Sequence, residues 1–246
     1  MAAWANATVA RLAAGDTCAG DFCGLVVICS WPMPEHVLDQ YKAFKAELAR
    51  VMPSEAYIYP ASTLHCTVIT LRAFTAGPMD AGSRAAMQAA WAPVLARARA
   101  SEAWPRGRFR LRMTAPTLEG SAGIFRYEDA DGAVERMRAC LREAIIDAGG
   151  LAAEGGGDRS SARPLPGTPD DGPAPHMPDI VHSTVLRWRA EPQDRSAAAE
   201  AFARAAETWV PVDVEVPCAR AVVEDTPYMH IPNDAAHVWW ESEPAE

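Results

Sequence analysis

Along this chain the spacing of apolar residues switches between a period of two and a period near 3.6, the marks of strand and helix. The first clear block, "CGLVVICSW", is continuously apolar and predicts a buried strand. "PMPEHVLDQYKAFKAELARVM" follows, with Val37, Leu38, Tyr41, Phe44, Leu48 and Val51 at spacings of three and four, one face of a helix. The proline and glutamate that open it suit a first helical turn. In "YIYPASTLHCTVITLRAF", Pro60 separates a short extended piece from a strand at about residues 64–72. The alanine-rich stretch "AGSRAAMQAAWAPVLARARA" reads as a helix that Pro93 kinks or breaks early. Strict alternation from Arg106 to Met113 then predicts a half-exposed strand.

The order begins again with a strand in "AGIFRYED" and an amphipathic helix in "DGAVERMRACLREAIIDAG", stopped by Gly149 and Gly150. Residues 149–179 hold 13 glycines and prolines among 31 positions, which predicts a flexible surface insertion. After it come a strand in "IVHSTVLRW", a helix in "RSAAAEAFARAAETW", strands in "VPVDVEV" and "ARAVVED", and "AHVWWE" to close the sheet. Strand, helix, strand, helix, strand thus occurs twice with little identity between copies, an internal repeat of architecture. The expected organisation is an N-terminal arm at 1–20 and one domain at 21–246, with halves at about 21–116 and 121–246.

Composition narrows the class. With 246 residues the chain is long enough to bury a substantial core, and 49% hydrophobic with 22% charged residues excludes disorder of the whole. No apolar run nears the roughly 18–20 residues of a membrane span, so no membrane association is expected. The net charge of −9 disfavours coating of DNA or RNA backbones, while leaving room for a phosphate pocket built from a few local donors. Six cysteines (18, 23, 29, 66, 140 and 218) form no CxxC pair and read as reduced, mostly buried thiols. Cys18, Cys23 and Cys29 lack a second ligand cluster for zinc. The acid-poor start "MAAWANATVARLAAG" is a weak secretory pattern, read as a short helix or frayed arm, and the default compartment is cytoplasmic, organelle targeting by that arm being the alternative.

The two copies share one chemical feature. The third element of the first carries "LHCTVITL", with His65 and Thr67; that of the second carries "VHSTVLRW", with His182 and Thr184. Side chains two apart on a strand share a face, so each pair presents an imidazole beside a hydroxyl. A lone histidine on an apolar strand is ordinarily a satisfied core residue. Two H-x-T-V motifs at equivalent places in a repeated order are not ordinary, and a pseudo-twofold would set them face to face across a cleft.

On these residues the chain resembles the two-histidine (2H) phosphoesterases, whose signature is two H-x-[ST] motifs on strands of a bilobal fold. The resemblance spans roughly residues 22–240 without the insertion. It implies an α+β fold of two pseudo-symmetric lobes, each an antiparallel sheet with helices outside, and a central cleft holding both motifs. It further implies that His65 and His182 act as general acid and base, that Thr67 and Thr184 hold phosphate, and that no metal or cofactor takes part. The long insertion before the second motif departs from a compact member of that family.

The chemistry fits independently. Opening a cyclic phosphodiester needs a base on one side of phosphorus and an acid on the other, and histidine, with an unperturbed pKa of about 6.5, serves as either. Which histidine takes which role stays open in the sequence. The expected partner is a nucleotide or RNA-end 2′,3′-cyclic phosphate, not DNA, and the expected state is a monomer. A non-catalytic nucleotide-binding module and an RNA 3′-end exonuclease are the alternatives; a metallohydrolase using His65, His182 and Asp225 is a third, with no H-x-H or H-E-x-x-H spacing behind it. Strand alternation puts Trp188 on the His182 face and Arg187 opposite, unless the strand bulges. Trp188, Tyr57 and Tyr228 are candidate substrate-lining residues, with Tyr59, Phe125 and Tyr127 as further aromatic candidates. Arg72 falls opposite His65, the arginines at 106, 108, 110 and 112 form either a solvated stripe or an electrostatic wall, and His230 and His237 receive no role.

Overall fold

In the structure, a computed structural model that describes residues 4–154, 162–168 and 174–242, strand β1 (Gly24–Cys29) is buried at every position. Such a strand must be flanked on both sides. Its neighbours are β3 (Cys66–Arg72) from the first half of the chain and β11 (Arg220–Glu224) from the second. That requirement decides the topology. One sheet runs β12-β11-β1-β3-β8-β7, with β12 at Val238–Glu241, β8 at His176–Met177 and β7 at Ala153–Glu154. The other runs β10-β4-β6-β9-β2, with β10 at Val212–Val216, β4 at Phe109–Met113, β6 at Ala122–Glu128, β9 at His182–Trp188 and β2 at Ala56–Ile58; β5 (Thr117–Glu119) pairs with β6. All pairings are antiparallel except β7 with β8.

The molecule therefore has two lobes, but they are not the sequence halves 21–116 and 121–246. Each sheet draws strands from both halves, because the central strand of one half is completed by a strand of the other. The helices lie outside. Helix α4 (Ala133–Asp147) packs on β3 and carries α3 (Ala81–Ala100), while α2 (Glu35–Val51) and α5 (Arg195–Ala206) pair over the other sheet. The predicted stripe of α2 buries Val37, Tyr41, Phe44 and Leu48.

Three local expectations change. Helix α3 passes through Pro93 without a break. Pro93 and Ala89, whose carbonyl loses its partner, both face solvent, and buried Trp91, Val94, Leu95 and Ala98 continue the packed stripe past it. The Gly/Pro-rich segment is not a free surface loop where it is described. β7 and β8 extend the first sheet, Leu151 pairs with Arg163, and Leu165 is buried in the core; its residues 155–161 and 169–173 lie outside the described residues. The arm is docked rather than frayed: Asn6 caps α1 (Ala7–Ala13), and its backbone N–H donates to the Trp188 carbonyl at 3.1 Å. At the close of α4, Gly149 takes φ +84°, a left-handed stop that returns its N–H to the Ile146 carbonyl at 2.9 Å.

All six cysteines are unpaired thiols, five of them buried. Among the described residues no helix is long and apolar enough to cross a membrane, and no three His, Cys, Asp or Glu side chains cluster as a metal site would require.

Candidate active site

The two motif strands, β3 and β9, lie in different sheets and do not pair with one another. Between them opens a cavity of about 240 Å³, lined by His65, Thr67, His182 and Thr184 together with Tyr59, Thr70, Phe74, Arg187, Glu224 and Tyr228. The four residues singled out by the repeated motif thus share one cavity. Burial alternates along each motif as a strand dictates: Cys66 and Ser183, the middle residues, are buried, and the histidines and threonines are half-open.

The His65 imidazole is anchored to the carbonyl two residues before it. His65 Nδ1 lies 2.7 Å from the Thr63 carbonyl. A carbonyl only accepts, so Nδ1 bears the proton of the neutral ring and Nε2 keeps a free lone pair. The Ile180 carbonyl, two residues before His182, likewise favours the charged form of that ring. Desolvation drives the His65 pKa down to about 4, the Thr63 carbonyl pulling it partly back and the neighbouring His182 pushing it further down. His182 is also lowered, by desolvation first, against the pull of the Ile180 carbonyl and with a smaller push from Arg187. Both rings are therefore neutral in the free protein at pH 7.

Alternation fails beyond Thr184, and this decides the cation of the site. Ile124 faces Thr184 but Gly123 faces Leu186, so β9 carries an extra residue, Val185. The bulge turns Arg187 toward the cavity and Trp188 away from it. Trp188 is fully buried and packs on Trp4 with ring centroids 5.5 Å apart, so it lines no substrate. Gly123 permits the tight fit there, since a Cβ would meet Phe202 Cε2 at 2.7 Å. Arg187 lies 5.3 Å from the Tyr228 ring, forms no ion pair with a described residue, and keeps Nε buried without a hydrogen-bond partner. Strand β3 bulges twice against β1, which puts Thr70 beside Thr67 at the cavity.

The remaining candidates separate cleanly. Tyr228 lines the cavity; Tyr57 stands behind it, its hydroxyl 2.8 Å from His230 Nε2. Tyr59 reaches the wall, whereas Phe125 and Tyr127 belong to the core. Arg72 is buried, donating to the Gly77 carbonyl at 2.9 Å and to the Cys23 carbonyl, a purely structural use. The arginine stripe is a solvated outer face: Arg108 pairs with Glu215, and Arg110 and Arg112 with Asp213 at 3.6 and 3.3 Å. Asp225 holds His237 at 3.3 Å and does not line the cavity. Two charged residues of the cavity wall escaped sequence reasoning, Arg187 and Glu224. Each is a charge inside an apolar strand, and that was the available signal. Glu224 is buried at the cavity wall, accepts the Met229 N–H at 2.8 Å, and is raised to about 7 by desolvation against the Met229 and Tyr228 N–H groups.

With doubled motifs on separate sheets around one cavity, the chain resembles the two-histidine phosphoesterases. Solved structures similar to it include TT0787 of Thermus thermophilus, 15% identical with a TM-score of 0.49 over 89% of this chain and 96% of that one. A structure described as a phosphoesterase is 12% identical with a TM-score of 0.49 over 91% and 98%. E. coli LigT complexed with phosphate is 13% identical with a TM-score of 0.44 over 82% and 87%. No family model and no curated protein sequence matches the chain.

Proposed function

We propose that this protein is a two-histidine phosphodiesterase that opens 2′,3′-cyclic phosphates without a metal ion. The observation that carries this reading is the convergence of His65, His182, Thr67 and Thr184 on one cavity. His65, its pKa lowered and its Nε2 lone pair free, takes the proton of the attacking water. The water oxygen bonds to phosphorus, the P–O bond to one ribose oxygen breaks, and His182 protonates that leaving oxygen. The proton gained by His65 and lost by His182 is rebalanced through solvent. Thr67, Thr184 and Arg187 donate to the non-bridging oxygens, where charge concentrates in the transition state. Both imidazoles are neutral when the site is empty, and the phosphate anion, placed between them, favours the protonated form of His182.

The cavity volume favours a small substrate. Drug-sized ligand sites run from roughly 300 to 1,000 Å³, and about 240 Å³ suits the cyclic phosphate end of a nucleotide. The test is hydrolysis of 2′,3′-cyclic nucleotides in EDTA. Turnover should fall by about 10²- to 10⁴-fold in His65→Ala and in His182→Ala. Absence of turnover in the wild type with nucleotide binding retained would replace this reading with that of a binding module.

A further inference from the structure

The middle residues of the two motifs, Cys66 and Ser183, reach across the seam between the two motif strands to each other's histidine. The Ser183 hydroxyl donates to the carbonyl of His65, and the Cys66 thiol donates to the carbonyl of His182 at 3.6 Å. These bonds join two strands that share no ladder, β3 and β9. Ser183 is itself braced. Its single proton goes to the carbonyl, so the buried Tyr127 hydroxyl, 2.8 Å away, must donate to Ser183 Oγ. The guanidinium of Arg138, brought in from α4 and only 2% exposed, ties the same two segments a second time: Nη2 donates to the Thr67 and Ile180 carbonyls, each at 3.0 Å, and Nε to the Val68 carbonyl at 3.3 Å. Five main-chain carbonyls, at His65, Thr67, Val68, Ile180 and His182, are thus fixed by buried donors.

We infer that Cys66 and Ser183 are positioning residues, a reciprocal clasp that sets the separation and facing of the two imidazoles. The lobes present one histidine each, and no strand pairing crosses the seam between the two motif strands, so the catalytic geometry must be set by side-chain donors. Buried donors are suited to this, because leaving a carbonyl unpaired in the interior is costly and the bonded arrangement is therefore strongly preferred. The clasp is asymmetric in strength. A hydroxyl bridged to a tyrosine secures the His65 side of the seam, and a weaker thiol donor secures the His182 side.

This inference rests on the phosphodiesterase reading for its kinetic consequence, and its test has an arm that does not. Ser183→Ala and Cys66→Ala remove one donor each; Ser183→Cys and Cys66→Ser restore one. In the ligand-free protein, NMR titration of the histidine Cε1–H resonances should show the His65 midpoint moving upward in Ser183→Ala, as the unclasped seam admits water, and returning in Ser183→Cys. In turnover of a 2′,3′-cyclic nucleotide, Ser183→Ala should lower kcat about tenfold, a modest misplacement effect, with KM within about twofold, and Ser183→Cys should recover most of the loss. Cys66→Ala should act in the same direction more weakly, and it supplies the test should Ser183→Ala not fold. Unchanged histidine titrations and unchanged kcat in folded alanine variants would overturn the clasp, reducing both residues to ordinary core donors. Titration changes in the variants, with no turnover by the wild type, would sink the phosphodiesterase reading and leave the clasp standing.

Discussion

Glu224 and His65 line the same cavity and are displaced in opposite directions, which produces a compensation that a single substitution exposes. The Glu224 carboxyl rises from an ordinary 4.5 to about 7, and the His65 imidazole falls from 6.5 to about 4. A raised carboxyl means that the folded state holds a proton which the unfolded chain releases above pH 4.5, so its contribution is fully present below 4.5 and is lost as pH rises through 7. The depressed imidazole does the reverse: its contribution is present above 6.5 and is lost as pH falls through 4. At about 1.4 kcal/mol per unit, each displacement amounts to about 3 kcal/mol, and the His65 figure is the more generous because that ring keeps one edge open to the cavity. Between pH 4.5 and 6.5 the two slopes oppose and largely cancel. Glu224→Gln keeps an acceptor for the Met229 N–H while abolishing the titration. Urea unfolding at half-unit steps from pH 4.5 to 7.5 should therefore show Glu224→Gln gaining about 3 kcal/mol on the wild type across the range. Its stability should climb with pH where the wild-type curve is flat. His65→Gln should show the mirror image, with stability falling as pH rises. Subtracting the wild-type curve removes groups common to all three proteins. Parallel curves for the wild type and Glu224→Gln, with equal m-values, would refute the claim that burial raises the Glu224 carboxyl above the ordinary carboxylate range.

Three further outcomes follow from the same geometry. Arg187→Met should raise KM for a cyclic nucleotide by about tenfold or more, the loss of one charge-assisted contact, with Arg187→Lys intermediate; an unchanged KM in steady-state kinetics would remove Arg187 from the phosphate site. The profile of kcat/KM should peak on the acid side of neutrality, because one ring must be neutral and the other protonated while both pKa values lie below 6.5; an optimum above pH 8 would contradict the assignment of both roles to these histidines. Trp188→Ala should cost about 3–5 kcal/mol of stability, as expected for emptying a fully buried ring, yet leave KM of the folded fraction within about twofold, whereas a substrate-lining Trp188 would show its loss in KM.

The contrast between Trp188 and Arg187 shows where a sequence stops being legible. Strand existence, the α2 stripe and the four-residue constellation follow from period and composition, because burying apolar surface on a pleated or helical backbone leaves few choices. Facing beyond Thr184 does not. One extra residue in β9, at Val185, reverses every later side chain, and nothing in "HSTVLRW" marks it except the arginine that a strict alternation would bury in the core. A charge with no buried partner is then the more reliable indicator than parity, since desolvating a guanidinium is far costlier than inserting a bulge. The same reasoning, applied to Glu224 at the end of "AVVE", finds the second hidden member of the cavity. The exchange of strands between lobes was illegible for a different reason. A repeated order of elements specifies which neighbours a strand has in sequence, and only the all-round burial of β1 shows that it needs one from the far half of the chain. Because β11 supplies that neighbour, it also carries Glu224 to the cavity wall beside the first motif. The topology that sequence reading divided incorrectly is thus what brings a residue near the end of the chain into contact with the site of His65.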